Sequence, residues 1–168
     1  MLLIKTKIKN CFKLKLTKFL DKRGQFVKLF SKNKFKNLKF FKQIKQVNIC
    51  TFEKKNILRG FHYQKKPKEE TKVVFCIKGS CIIHVLDIRR KSKTFKSNLS
   101  IKLSENDNYA VLVPKGCPNA FQSLEKNTIL IYYSSNEYYP NYEEKIKFNS
   151  PLVNIKFPKN LVLSDKDS

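Results

Sequence analysis

Short stretches rich in Val, Ile, Phe and Tyr, with apolar and polar residues alternating, recur along this chain, and that rhythm limits the fold more than any other feature. Residues 2–8, 25–30, 44–51, 72–78, 80–88, 109–113 and 128–133 read as strands, because a side-chain period of two sends neighbours to opposite faces of a sheet. Turn-forming runs separate them: Asp21-Lys22-Arg23-Gly24, Lys78-Gly79-Ser80 and Pro114-Lys115-Gly116. One short helix is expected near 31–40. No repeat and no long linker interrupts the pattern. Many short strands within 168 residues imply an all-β sandwich or barrel, expected as a single domain over 1–168.

The glycines sharpen this reading. The chain has only four, Gly24, Gly60, Gly79 and Gly116. In so glycine-poor a sequence, each is expected where a side chain would not fit. Gly79 suits a hairpin and Gly116 a turn. Gly60 lies inside the strand-like run Ile57 to Tyr63. A bulge there, or the close approach of something to the backbone, explains it, and a substrate is one candidate.

The formal net charge is +23, which raises nucleic-acid or anionic-membrane binding. Against that, only four of the 36 basic residues are Arg: Arg23, Arg59, Arg89 and Arg90. Arg is the better bidentate reader of phosphate and guanine, and the lysines are spread over the whole chain. The bias fits drift towards Lys, Asn, Ile and Phe in an AT-rich genome, so no nucleic-acid partner is expected. The charge still helps to attract an anionic nucleotide. Cys11, Cys50, Cys76, Cys81 and Cys117 form no C-x-x-C pair and read as free thiols, with Cys76 and Cys81 in the core. The opening MLLIKTKIKN lacks a signal-peptide apolar core, and no apolar run approaches a membrane span. A cytoplasmic protein without a membrane partner is expected.

Two histidines could carry chemistry. His62 alternates with Gly60 along its strand. It reads either as a general base or as a strand His satisfied by a neighbour. His84 lies within an apolar strand and reads as structural or surface-facing. A metal site is not expected, because His62-Tyr63-Gln64 offers no His-x-His pair and no matched carboxylate spacing. Phosphate-cradling glycine loops are absent too, and no cofactor is expected.

Taken in order, these segments resemble one family. Asp21-Lys22-Arg23-Gly24-Gln25-Phe26 is similar to D-x-R-G-x-F, and Asn56 to Gln64 to N-v-L-R-G-l-H-f-Q. Asp87-Ile88-Arg89 with Ser92, Thr94 and Phe95 resembles D-l-R-x-x-S-x-T-F, and Pro114-Lys115-Gly116 resembles P-x-G. Tyr132, Tyr138, Pro140 and Glu143 match a Y…Y-x-P…E spacing, and Leu163 to Asp167 a closing L-S-x-K-D. Together they resemble the dTDP-4-dehydrorhamnose 3,5-epimerases, metal-free members of the cupin fold. The implied architecture is a cupin-type jelly-roll β-barrel with one or two short helices. The implied activity is epimerisation at C3, C5 or both of a nucleotide-linked 4-keto sugar, for cell-surface polysaccharide precursors.

The resemblance also implies roles. His62 matches the base, Asp167 the carboxylate that orients it, and Tyr132 the acid on the opposite face. Lys72 matches a cation beside the C4 oxygen, where enolate charge develops. Arg59 matches a substrate-oxygen contact; Arg23, Phe26, Gln46 and Asn48 match nucleotide-side positions, and Asn119 and Tyr138 further substrate contacts. The family implies a homodimer in which some of these groups cross between subunits. Three positions depart from its pattern. Asn119 replaces a His, Lys28 a Glu and Ile83 an Asp, which leaves the nucleotide and the sugar open. Asp167 is also next to last in the sequence, where fraying is expected. Two alternatives use the same scaffold, a 3,4-ketoisomerase and a non-catalytic sugar-nucleotide-binding cupin.

Overall fold

The computed structural model describes residues 2–36, 38 and 43–167. In chain order the strands are β1 (Leu2–Lys5), β2 (Phe12–Lys15), β3 (Lys18–Asp21), β4 (Gly24–Val27), β5 (Gln46–Phe52), β6 (Leu58–Gln64) and β7 (Lys72–Lys78). They continue with β8 (Ser80–Leu86), β9 (Asn98–Ser104), β10 (Tyr109–Val113), β11 (Asn119–Ser123), β12 (Thr128–Ser134) and β13 (Glu143–Lys145). Helix α1 spans Lys32–Lys36, and a 3-10 turn covers Pro140–Tyr142. The expected helix near 31–40 is seen over Lys32–Lys36, and residues 37, 39 and 40 lie outside the described residues.

Two antiparallel sheets face each other, the jelly-roll arrangement. One runs β1-β2-β10-β7-β12-β5, the other β13-β6-β11-β8-β9, and β3–β4 form a separate hairpin. Val74, Val111 and Leu130 of the first sheet meet Ile83, Val85 and Phe121 of the second in the central core. The outer faces are covered as well. Leu16, Phe35 and Leu38 pack on Val73, Phe75 and Tyr133. Residues from Ile146 to Leu163 form a strap over Leu58, Phe61 and Leu86. Each such fully buried side chain contributes roughly 1.5–3 kcal/mol. Burial on both faces explains why β7 and β8 read as nearly continuous apolar runs.

The structure corrects several expectations. β1 ends at Lys5, because Thr6 turns the chain by bonding through Oγ1 to the Cys11 carbonyl at 2.9 Å. β2, β3, β9, β11 and β13 fall outside the expected strands. β11 (Asn-Ala-Phe-Gln-Ser) is buried along its whole length, so its polar residues, bonded to neighbours, hide any alternation. Cys76 is only half-buried, whereas Cys81 is in the core. His84 is structural: Nδ1 pairs with Ser100 Oγ at 2.8 Å and Nε2 with Gln122 Oε1 at 2.9 Å. The D-x-R-x-x-S-x-T segment is a clasp. Buried Asp87 accepts from Arg89 Nε (2.7 Å), Ser92 Oγ (2.7 Å) and Thr94 Oγ1 (2.6 Å). Arg89 in turn donates to the Lys9 carbonyl at 2.7 Å.

Gly60 meets protein rather than a ligand. Its φ is +117°, and a Cβ there would stand 2.5 Å from the Asn119 carbonyl oxygen and 2.8 Å from the Ala120 Cα. The backbone of β11 therefore occupies the space a side chain would need. Gly60→Ala combines a disfavoured φ with a backbone clash, so it should destabilise the fold by roughly 2–5 kcal/mol. Urea unfolding followed by circular dichroism checks this, and an unchanged midpoint would contradict it.

Candidate active site

Alternation carries the inward-facing row of each strand from the apolar core into a polar pocket. In the first sheet, Tyr132 pairs with Asn48 and Val74, while Ser134 pairs with Gln46 and Lys72. The same row that contributes Leu130 and Val74 to the core thus contributes Asn48, Tyr132 and Lys72 one or two steps later. Across the barrel, β6 supplies His62 and β13 supplies Glu143. Gln46, Asn48, His62, Lys72, Tyr132 and Tyr138 line one cavity of about 240 Å³. That is below the roughly 300–1,000 Å³ of sites that enclose drug-sized ligands, and it suits a single sugar ring. A larger cleft of about 1,040 Å³ lies alongside and shares Tyr63 and Gln64, but contains none of His62, Lys72 and Tyr132. The smaller cavity is the candidate site because the acid–base groups converge there.

His62 is held from behind. Its Nε2 lies 2.7 Å from Asp167 Oδ1, and Asp167 Oδ2 accepts from the Gly60 amide at 3.4 Å. With Nε2–H donated to the carboxylate, Nδ1 carries the free lone pair of the neutral ring. Glu143 Oε1 stands 3.9 Å from Nδ1. Burial pushes the Glu143 carboxyl up, but hydrogen bonds from Lys166 and Tyr138, with the His62 charge, outweigh it and hold the group below the usual carboxylate range. Asp167 is anchored although it is next to last in the sequence. It is buried, its amide bonds the Ser164 carbonyl at 2.9 Å, and neighbouring Lys166 pairs with Glu143 at 2.7 Å.

Tyr132 faces the pocket from the opposite sheet. Burial, reinforced by the Cys50 thiol and the Glu70 carboxylate, pushes its phenol up to about 12. The hydroxyl therefore keeps its proton at neutral pH. Lys72 Nζ lies 5.8 Å from the centre of the Tyr132 ring and pairs with Glu70 Oε1 at 3.0 Å. Tyr138 donates its hydroxyl to Glu143 at 3.0 Å.

Five expected residues stand outside the cavity lining, Asp167 behind His62 being one of them. Arg59 donates to the Thr51 carbonyl at 3.3 Å and covers the Phe52 ring. Its charge nevertheless reaches Tyr132, where it lowers the phenol pKa. Asn119 is buried and pairs with His62 across β6 and β11. Arg23 and Phe26 lie on the β3–β4 hairpin, whose own hollow shares no residue with the His62 cavity. Of the departures, Ile83 fills the inter-sheet core and Lys28 is exposed just beyond β4. Tyr63, Gln64, Glu70 and Glu143 line the cavity without having been expected in the site, and Ser134 donates to Glu70. Glu70 precedes Lys72 by two residues, a spacing that alternation could have flagged. Among the described residues no group of three or more His, Cys, Asp or Glu is gathered to hold a metal ion.

Comparison with known proteins bears on this arrangement. A family model described as dTDP-4-dehydrorhamnose 3,5-epimerase matches residues 5–168. The Salmonella typhimurium protein of that name is 30% identical over 170 residues, covering 100% of this chain and 93% of its own. A Bacillus anthracis structure of that name, with TDP and PPi bound, superimposes with a TM-score of 0.93 at 30% identity, covering 98% of this chain and 95% of its own. A 3'-monoepimerase from Streptomyces bikiniensis in complex with dTDP-quinovose superimposes with a TM-score of 0.87 at 28% identity, covering 95% and 82%.

The raised Tyr132 phenol has a direct signature. Ordinary tyrosines ionise near pH 10, so the phenolate absorbance that grows through that range should be equal in wild type and Tyr132→Phe. A smaller rise in the variant would show that Tyr132 ionises normally.

Proposed function

The chain belongs to the dTDP-4-dehydrorhamnose 3,5-epimerase family, a family of isomerases, and we propose that it inverts carbons flanking the C4 ketone of a nucleotide-linked 4-keto-6-deoxy sugar. One observation carries this reading. A histidine oriented by a carboxylate and a proton-loaded tyrosine face one sugar-sized cavity from opposite sheets.

Inversion needs a proton removed from one face and returned on the other. His62 Nδ1 takes the proton α to the ketone, and the C–H electron pair moves into the ring as the C4 carbonyl becomes an enolate. Asp167 holds the imidazole and balances the imidazolium that forms. The Lys72 ammonium hydrogen-bonds the enolate oxygen where charge develops. Tyr132 then gives its proton to the same carbon from the opposite face. Solvent reprotonates the tyrosinate and takes the proton from His62, so no net charge accumulates over a turnover.

The nucleotide extends beyond the cavity. Gln46 and Asn48 at the rim, Tyr138 and Arg59 are its proposed contacts. Arg23 and Phe26 complete the set from a second copy of the chain. The exposed apolar surface supports such a dimer. Edge strand β5 shows Val47 at 60% and Ile49 at 67% exposure, and the β3–β4 hairpin shows Phe19, Leu20 and Phe26. An unpaired apolar edge of this kind calls for a partner. The relative from Bacillus anthracis was solved with TDP, and a thymidine nucleotide is the proposed carrier here. The enzyme is proposed to work in the cytoplasm. No described helix is long and apolar enough to cross a membrane.

Deuterium entry from D2O into C3 and C5 of a TDP-4-keto-6-deoxy sugar, read by NMR, tests the chemistry. His62→Asn should slow entry by roughly 10²–10⁴-fold. Tyr132→Phe should reduce inversion by a similar factor while exchange on the His62 face persists. Equal loss of exchange in both variants would contradict the division of labour, and no entry with wild type would end the reading. The dimer is checked by light scattering, which should give twice the 19.8 kDa of the chain. A monomer at micromolar concentration would remove Arg23 and Phe26 from the site.

A further inference from the structure

The wall of the cavity beside Lys72 contains a second charged group. Glu70, just before β7, puts Oε1 3.0 Å from Lys72 Nζ, and its Oε2 accepts the Ser134 hydroxyl. Glu70 and Lys72 are each about 12% exposed, and both line the cavity. The ion pair is therefore largely shielded but open towards a ligand. An ionised carboxylate has roughly four acceptor sites on its two oxygens. Lys72 and Ser134 account for two. Among the described residues these are its two side-chain partners, and Glu70 lines the cavity, where a ligand can reach the remaining acceptor capacity.

A donor and an acceptor fixed side by side match a particular chemical unit. In an α-hydroxyketone, the carbonyl oxygen accepts and the hydroxyl on the adjacent carbon donates. Those two oxygens lie within hydrogen-bonding distance of each other, much as Nζ and Oε1 do. We propose that Glu70 is a specificity-determining residue, which accepts a hydrogen bond from the C3 hydroxyl of the sugar while Lys72 binds the C4 oxygen. The assignment rests on the epimerase reading for where the ketone lies. It also gives the pocket a preference. A free C3 hydroxyl is held by a charged acceptor, whereas a C3-deoxy sugar leaves a shielded carboxylate without its ligand partner.

Glu70 touches Lys72, so a merely structural role must be separated from recognition. Interaction between enzyme variant and substrate hydroxyl makes that separation. Dissociation constants are measured by calorimetry for TDP-4-keto-6-deoxyglucose and its 3-deoxy counterpart, in a His62→Asn background that leaves both ligands unreacted. With Glu70 present, the 3-hydroxy ligand should bind about tenfold tighter or more. With Glu70→Ala the preference should shrink to within about twofold, whatever happens to affinity overall. Glu70→Gln keeps the shape, replaces a charged acceptor by a neutral one and should retain about threefold. It decides the matter should the Ala variant not fold. A purely structural Glu70 would weaken both ligands equally and leave their ratio unchanged, which overturns the proposal. So does equal affinity for the two ligands with Glu70 present, and so does failure of both to bind. Deuterium entry at C5 in the wild-type protein is read separately. Its absence overturns the epimerase reading, while the affinity ratio still decides Glu70.

Discussion

Two sheets pressed face to face share one interior, and every inward-pointing side chain must suit its depth in it. Near the middle, Val74, Leu130, Ile83 and Val85 exclude water. One or two steps along the same rows stand Lys72, Tyr132 and, across the barrel, His62. The low-dielectric core is thus the floor of the polar cavity. That proximity raises the Tyr132 phenol, since burial is the leading cause of its shift. It also makes a lone ammonium or carboxylate expensive, and Lys72 and Glu70 meet that constraint by pairing.

The outer layer matters to the same cavity. The strap from Ile146 to Leu163 buries Leu58, Phe61 and Leu86 on the far side of the second sheet. Its continuation brings Asp167 to His62 and Lys166 to Glu143. Packing on one face of β6 therefore fixes a carboxylate on the other. Gly60 makes the passage possible, because β11 lies too close there for any side chain. A second link runs through Gln64. Its amide donates to the Glu137 carbonyl at 2.9 Å and its oxygen accepts from the Tyr139 amide, which holds Tyr138 at the cavity rim.

Much of the fold was legible where burial alternates or is continuous. β7, β8, β10 and β12 read correctly because Val, Ile, Leu and Tyr repeat through them. β11 was hidden, since Asn119, Gln122 and Ser123 are polar yet buried, and only a tertiary partner such as His84 for Gln122 makes that tolerable. Gly60 was legible as a close approach, but not what approached. In the cavity, His62, Lys72 and Tyr132 were singled out by motif and do converge. Glu70 escaped notice because it sits just before the first residue of its strand, where pattern reading stops. Arg23 and Phe26 share no cavity with them within this chain, a long-range separation that no local motif reports.

The strap also joins two features that the strands alone leave incomplete. The thirteen strands among the described residues end by Lys145, whereas Asp167 comes 22 residues later. Without the strap, Leu58, Phe61 and Leu86 would lie bare on the outside. A chain cut before the strap would therefore lack the His62–Asp167 contact and expose that apolar face at once. One segment thus completes both the polar contact at His62 and the apolar cover of the second sheet.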